Sequence, residues 1–170
     1  MSRSAEAVRR IQSSCDAILA EADRLPAELL HWHPLPDVWS VMDILCHIEE
    51  FIPYWTAQTL GAVKHPEREW GRNHADEARR AAVANTAARS LAEVTKNIRA
   101  FAGQSAAAIA ALTDADLDVE ARSRNPRWGM KPAGFIVEEL LVVHLETVLL
   151  SPVQLLRYPV ARRFSTRHNL

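Results

Sequence analysis

The 170-residue chain balances 20 Lys and Arg against 21 Asp and Glu, a formal net charge of −1, with 48% hydrophobic and 24% charged residues. That length and balance suit one soluble domain able to bury its own core, and a pI near 6.7 gives no global positive field to attract nucleic acid. No apolar run reaches the roughly 18 residues of a membrane span, and MSRSAEAVRR opens without an apolar signal core, so the cytoplasm is the expected location.

Residues 1–160 are expected to form one helical domain, followed by a basic tail over 161–170, ARRFSTRHNL. From Ser4 to Leu25, Val8, Ile11, Cys15, Ile18, Leu19 and Ala22 recur at helical spacing and predict a first amphipathic helix. Pro26 ends it or opens a short extra turn to Leu30. The segment His31-Trp32-His33-Pro34 reads as loop, and its two histidines as surface residues more readily than as a chelating pair.

The second helix is the most informative stretch. Ser40 followed by Asp43 is an N-cap with an acidic third residue. Val41, Ile44, Leu45, Ile48, Ile52 and Trp55 then mark one face, running on toward Leu60. Asp43, Cys46, Glu49 and Glu50 fall on the other side, Glu49 and Glu50 most simply as a solvated face, and His47 lands on the boundary. Pro53 is expected to kink this helix or end its regular part. Gly61 to Arg72 reads as turn, with Trp70 exposed.

A third, Ala-rich helix is predicted over His74–Leu112, with Gly103 as a bend or break. At 1.5 Å per residue it would be about 58 Å long, more than a bundle helix usually needs. Its small side chains allow close approach of a neighbour, either within the fold or across a dimer. Asp114 to Trp128 reads as a connection with a turn at Asn125-Pro126. Trp128-Gly129 stands where it would pack the bundle end or line the mouth of a pocket. The fourth helix begins near Pro132 and runs to about Leu156. Four helices, no alternating strand pattern and no repeat predict an all-α four-helix bundle. Cys15 and Cys46 are too few for a disulfide framework and read as buried thiols. No Gly-rich phosphate loop, Ser-His-Asp order or Cys-x-x-Cys is present, which sets nucleotide-dependent enzymes aside.

On the fourth helix Glu138, Glu139 and Glu146 cluster on one side, and His144 falls opposite, near Val137, Leu140 and Val148. It should point into the bundle. A buried imidazole needs partners: His144 is either a core residue bonded to another helix or half of a two-histidine site with His47. Glu50, Asp43 or water would complete such a site.

The run Trp39-Ser40-Val41-Met42-Asp43-Ile44-Leu45-Cys46-His47-Ile48-Glu49-Glu50 resembles the opening motif of the DinB-like helical bundle family. The resemblance implies a four-helix bundle that commonly pairs as a homodimer. It also implies a divalent metal (Ni, Zn, Fe or Mn) held by one histidine on the second helix and two at i, i+4 on the fourth. Some members work with low-molecular-weight thiols, as transferases or as the maleylpyruvate isomerase type. His47 matches the first ligand. On the fourth helix one register puts His144 and Val148 at the other two positions, and the other puts Thr147 and Ser151 there. In neither is the three-histidine set complete, so the expected metal residues are His47, His144 and Glu50. The alternative is a metal-free bundle that binds a small apolar ligand or serves as a dimeric interaction module.

Overall fold

The computed structural model describes residues 1–33, 35, 38–72 and 76–148. The turn at Pro34 and Pro36, the start at His74, the fourth helix from residue 149 to Leu156 and the 161–170 tail lie outside them. Ser2 starts α1 (Arg3–Asp23), its hydroxyl accepting from the Ala5 amide, and Ile11, Cys15, Ile18, Leu19 and Ala22 form the buried stripe. After Pro26 comes one short turn, α2 (Ala27–Leu30).

The capping box forms as the sequence predicts: the Ser40 hydroxyl accepts from the Asp43 amide, and the Asp43 carboxylate accepts from the Ser40 amide. It opens α3 (Val41–Lys64), which runs through Pro53 without ending. Phe51, Ile52 and Trp55 are buried on either side of that proline, and their packing outweighs the lost backbone bond. Over its first half α3 has no solvated face beside its apolar one. Asp43 and Cys46 are buried, and the Glu49 and Glu50 side chains are only 13% and 17% exposed. The helix packs against α4, α5, the fourth helix and a strand, and solvent reaches it in its second half, at Ala57, Leu60, Gly61 and Lys64.

The expected 74–112 helix is two. α4 (Glu77–Ala84) ends at Asn85, a 3₁₀ turn covers Thr86–Ala88, and α5 (Leu91–Ala110) starts afresh from Ser90, whose hydroxyl accepts from the Glu93 amide. Thr86 causes the break by turning inward to donate to buried Asp43 at 2.5 Å. Gly103 is interior to α5.

The 114–128 connection also has structure. Thr113 caps α6 (Asp114–Leu117), and β1 (Glu120–Arg122) pairs antiparallel with β2 (Met130–Pro132). Trp70 is buried, not exposed. Its amide and carbonyl bond Arg122 and Arg124, and its indole donates to the Ala121 carbonyl, so it stitches the end of α3 to this hairpin. Three-residue strands are too short to show a period-two pattern, which is why they escaped the sequence reading.

From Pro132 the last helix, α7, runs over Ala133–Phe135, widens into a π-helical stretch at Ile136–Val142, and is α again over 143–148. Contacts join α1 to α5 and α7, and α3 to α5 and α7. The helices therefore ring the core in the order α1, α5, α3, α7, with α1 and α3 across the diagonal. No helix among the described residues is long and apolar enough to cross a membrane.

Candidate metal and ligand site

His47 lies two turns into α3 and His144 just beyond the π-helical stretch of α7, so facing helices bring them together. Their Nε2 atoms are 3.2 Å apart, with ring centroids at 5.4 Å, and the rings meet tip to tip. Phe51 packs edge-on to His144 at 4.7 Å and tilted to His47 at 5.1 Å, while Trp39 closes the other side of His47. This apolar collar keeps both imidazoles neutral. Burial first, then His144, Arg79 and Arg72, pushes the His47 pKa down to about 3. Burial and then Arg79 lower that of His144. His144 therefore points into the bundle, as expected from the glutamates opposite, of which Glu138 and Glu146 both grip Arg10 of α1.

Glu50, one turn after His47, faces the other imidazole nitrogen: its Oε2 is 4.0 Å from Nδ1, a buried atom with no hydrogen-bond partner among the described residues. Both Glu50 oxygens accept from Arg72, at 2.5 and 2.7 Å. Arg72 also bonds Asp76 at 3.1 Å and lies over the Tyr54 ring. Asp43 is engaged in the cap and with Thr86. Burial alone would raise its pKa, but its bonds to Thr86 and Ser40 together outweigh this and lower it. His33 is turned to the Val38 carbonyl at 3.0 Å, with its other nitrogen 3.6 Å from Asp43, so the loop histidine braces the cap. Cys46 and Cys15 are buried, and burial pushes their thiols up to about 11 and about 12, which leaves them protonated and unreactive.

The histidine pair forms one wall of a cavity of about 380 Å³. Leu140 lies beside it from the π-helical stretch, and Arg72 and Arg79 contribute from the segment after α3. Asn125, Arg127 and Trp128 come from the hairpin loop, which is shaped locally: the Asn125 side chain accepts from the Arg127 amide, and Gly129 takes φ +59°. Trp128 stacks on buried Trp70 at 5.6 Å and an interplanar angle of 11°, so it both packs the bundle end and lines the pocket. Arg72, Arg79 and Arg127 were not singled out from the sequence. Nothing in their spacing links them, since the fold alone gathers residues from separate segments.

Two imidazole nitrogens bound at about 2.05 Å to one tetrahedral ion stand about 3.3 Å apart, close to the 3.2 Å between these two. Neutral, converging Nε2 atoms are the form a metal requires. The orphaned Nδ1 beside Glu50 matches a further feature of histidine ligands, whose second nitrogen commonly donates to a carboxylate. Among the described residues no three His, Cys, Asp or Glu side chains converge as a metal-binding group. The described donors thus fit two inner positions and one outer partner.

A ring of four helices with a histidine pair between two of them defines a helical-bundle protein. The chain belongs to the DinB superfamily, whose sequence model matches residues 10–145. It is similar in fold to YfiT from Bacillus subtilis, described as a probable metal-dependent hydrolase with an unusual four-helix bundle topology. The TM-score is 0.75 at 11% identity, over 91% of this chain and 86% of that one. It is also similar to mycothiol-dependent maleylpyruvate isomerase, with TM-score 0.68 and 11% identity over 86% of this chain. A histidine-to-alanine variant of that isomerase gives TM-score 0.66 and 10% identity. The chain spans 59% of the isomerase's length. No curated protein sequence matches it significantly.

Proposed function

We propose that the cavity beside His47 and His144 is the working site of a metal-dependent protein, in which these two residues hold a divalent ion (Ni, Zn, Fe or Mn) through Nε2. The observation that carries this reading is the convergence of two neutral imidazoles, buried His47 and half-buried His144, from facing helices at the edge of an open cavity. Glu50 serves best as acceptor of the His47 Nδ1 proton, fixing the tautomer that leaves Nε2 unprotonated, and Arg72 fixes Glu50. Its other possible role, as a third ligand, would require it to leave Arg72. The bound ion would stabilise a thiolate or polarise a carbonyl. Trp39 and Phe51 would keep water from the imidazoles, and the arginines would orient what enters from the cavity.

On this reading the protein is a thiol-dependent transferase or isomerase. Superfamily membership and the fold shared with the isomerase support it. Titration with Co²⁺ tests it: visible d–d bands should appear, with a near-ultraviolet sulfur-to-cobalt band on adding a small thiol, and neither should appear in His47→Ala or His144→Ala. A protein that gives no cobalt spectrum would contradict it.

A second reading has two observations in its favour. Leu140 and Val148, four residues either side of His144, are aliphatic, and His47 and His144 already stand at hydrogen-bond distance. The pair would then be a structural N–H···N bond in a metal-free bundle that binds a small ligand. Under either reading we place the protein in the cytoplasm and expect a homodimer through its helices. Sedimentation equilibrium tests the dimer.

A further inference from the structure

We infer that the cavity beside the histidine pair takes a small organic carboxylate with a flat, apolar body, its anionic end held by Arg79 and Arg127. This rests on the proposed reading of the cavity as the functional site, but not on the metal.

The charge of the lining points this way. Among the described residues, three arginines and no Asp or Glu line the cavity. Arg72 is already answered by Glu50 and Asp76. Arg79 and Arg127 form no ion pair among the described residues, and their place on the cavity lining sets them apart from other unpaired arginines such as Arg80, Arg122 and Arg124. Arg79 lies over the Trp39 ring at 5.9 Å, and Trp39 in turn packs against His47, so the guanidinium is set at the site. A guanidinium is planar and presents paired donors that match a carboxylate.

The other walls select the body of the ligand. Trp128 is held flat by its stack on Trp70 and braced edge-on by Trp55 and Phe135. Leu140 supplies an aliphatic surface. Such walls suit a ring or a conjugated chain and gain nothing from a compact inorganic anion. The volume is at the lower end of the range for small-molecule sites. Asn125 adds a neutral polar group at the rim.

Calorimetric titration with benzoate, its neutral isostere benzamide, and inorganic phosphate tests the inference, on the protein as purified and after exhaustive treatment with EDTA. Benzoate should bind about tenfold or more tightly than either comparator in both preparations. Arg79→Gln with Arg127→Gln should remove that preference, while the doubly Lys-substituted variant retains part of it. Equal binding of benzoate and benzamide, a preference for phosphate, or a preference unchanged in the Gln variant would overturn the inference. If the preference disappears with EDTA, the carboxylate was bound to the ion, and the arginine assignment fails while the metal reading stands. If no ion is found and the preference persists, the metal reading fails and this one stands.

Discussion

His47 and Glu50 stand one turn apart on α3, with Nδ1 of the imidazole 4.0 Å from a carboxylate oxygen that Arg72 holds from the other side. On the proposed reading the carboxylate takes the Nδ1 proton once the two close from 4.0 Å to hydrogen-bond distance, behind the nitrogen that faces His144. Glu50→Gln keeps the shape but weakens the acceptor for the Nδ1 proton. Affinity for a divalent ion should fall by about 10–100-fold, the usual cost of removing an outer partner. Competition against a chromophoric chelator measures it. Unchanged affinity would remove Glu50 from the site.

The histidine pair also sets a pH dependence of stability. Burial holds the folded His47 pKa down to about 3, against an ordinary value of 6.5, and that of His144 is lowered too. Above about pH 6.5 both residues are neutral in the folded and unfolded chain, and they add no slope. As the pH falls, the unfolded chain takes up protons that the folded one refuses, so stability declines down to about pH 3. Urea midpoints at a series of pH values should fall through this window, and more shallowly in His47→Gln.

Asp43 joins the start of α3 to the turn that separates α4 from α5. It accepts from the Ser40 amide at 2.8 Å and from the Thr86 hydroxyl, and it is 5% exposed. Asp43→Ala removes the cap's acidic member and leaves the buried Thr86 hydroxyl without its partner. The loss should be about 2–3 kcal/mol, read from urea unfolding.

Gly103 is helical and exposed, and a Cβ added there would meet nothing within 4 Å. Gly103→Ala should therefore stabilise the protein by about 0.5–1 kcal/mol. A loss of stability in thermal unfolding would mean that this face is covered.

The helices were legible because each carries a long stripe and a cap. Ser40 with Asp43, and the Ile11 to Ala22 stripe, appear in the structure as they read in the sequence. Ser90 and Glu93 mark the start of α5 just as plainly in the residues, but the Ala-rich run around them has too little amphipathic contrast to show a break. Trp70 looked exposed because its partners are the backbone of a hairpin far along the chain and Trp128, none of which local periodicity reveals. At the site, helix faces and the family resemblance together point to His47, His144 and Glu50, and the structure sets these three near one another. The engagement of Glu50 with Arg72 is not legible in the sequence, since the arginine arrives from a loop. The cationic side of the cavity depends wholly on tertiary placement.

The most direct test of the account is elemental analysis of the purified, untagged protein alongside His47→Ala and His144→Ala, each also incubated with excess divalent ions. We predict near-stoichiometric nickel, zinc, iron or manganese in the unaltered protein and its loss in both variants. Protein that stays metal-free after loading, or metal that survives both substitutions, would contradict a site built on these two histidines.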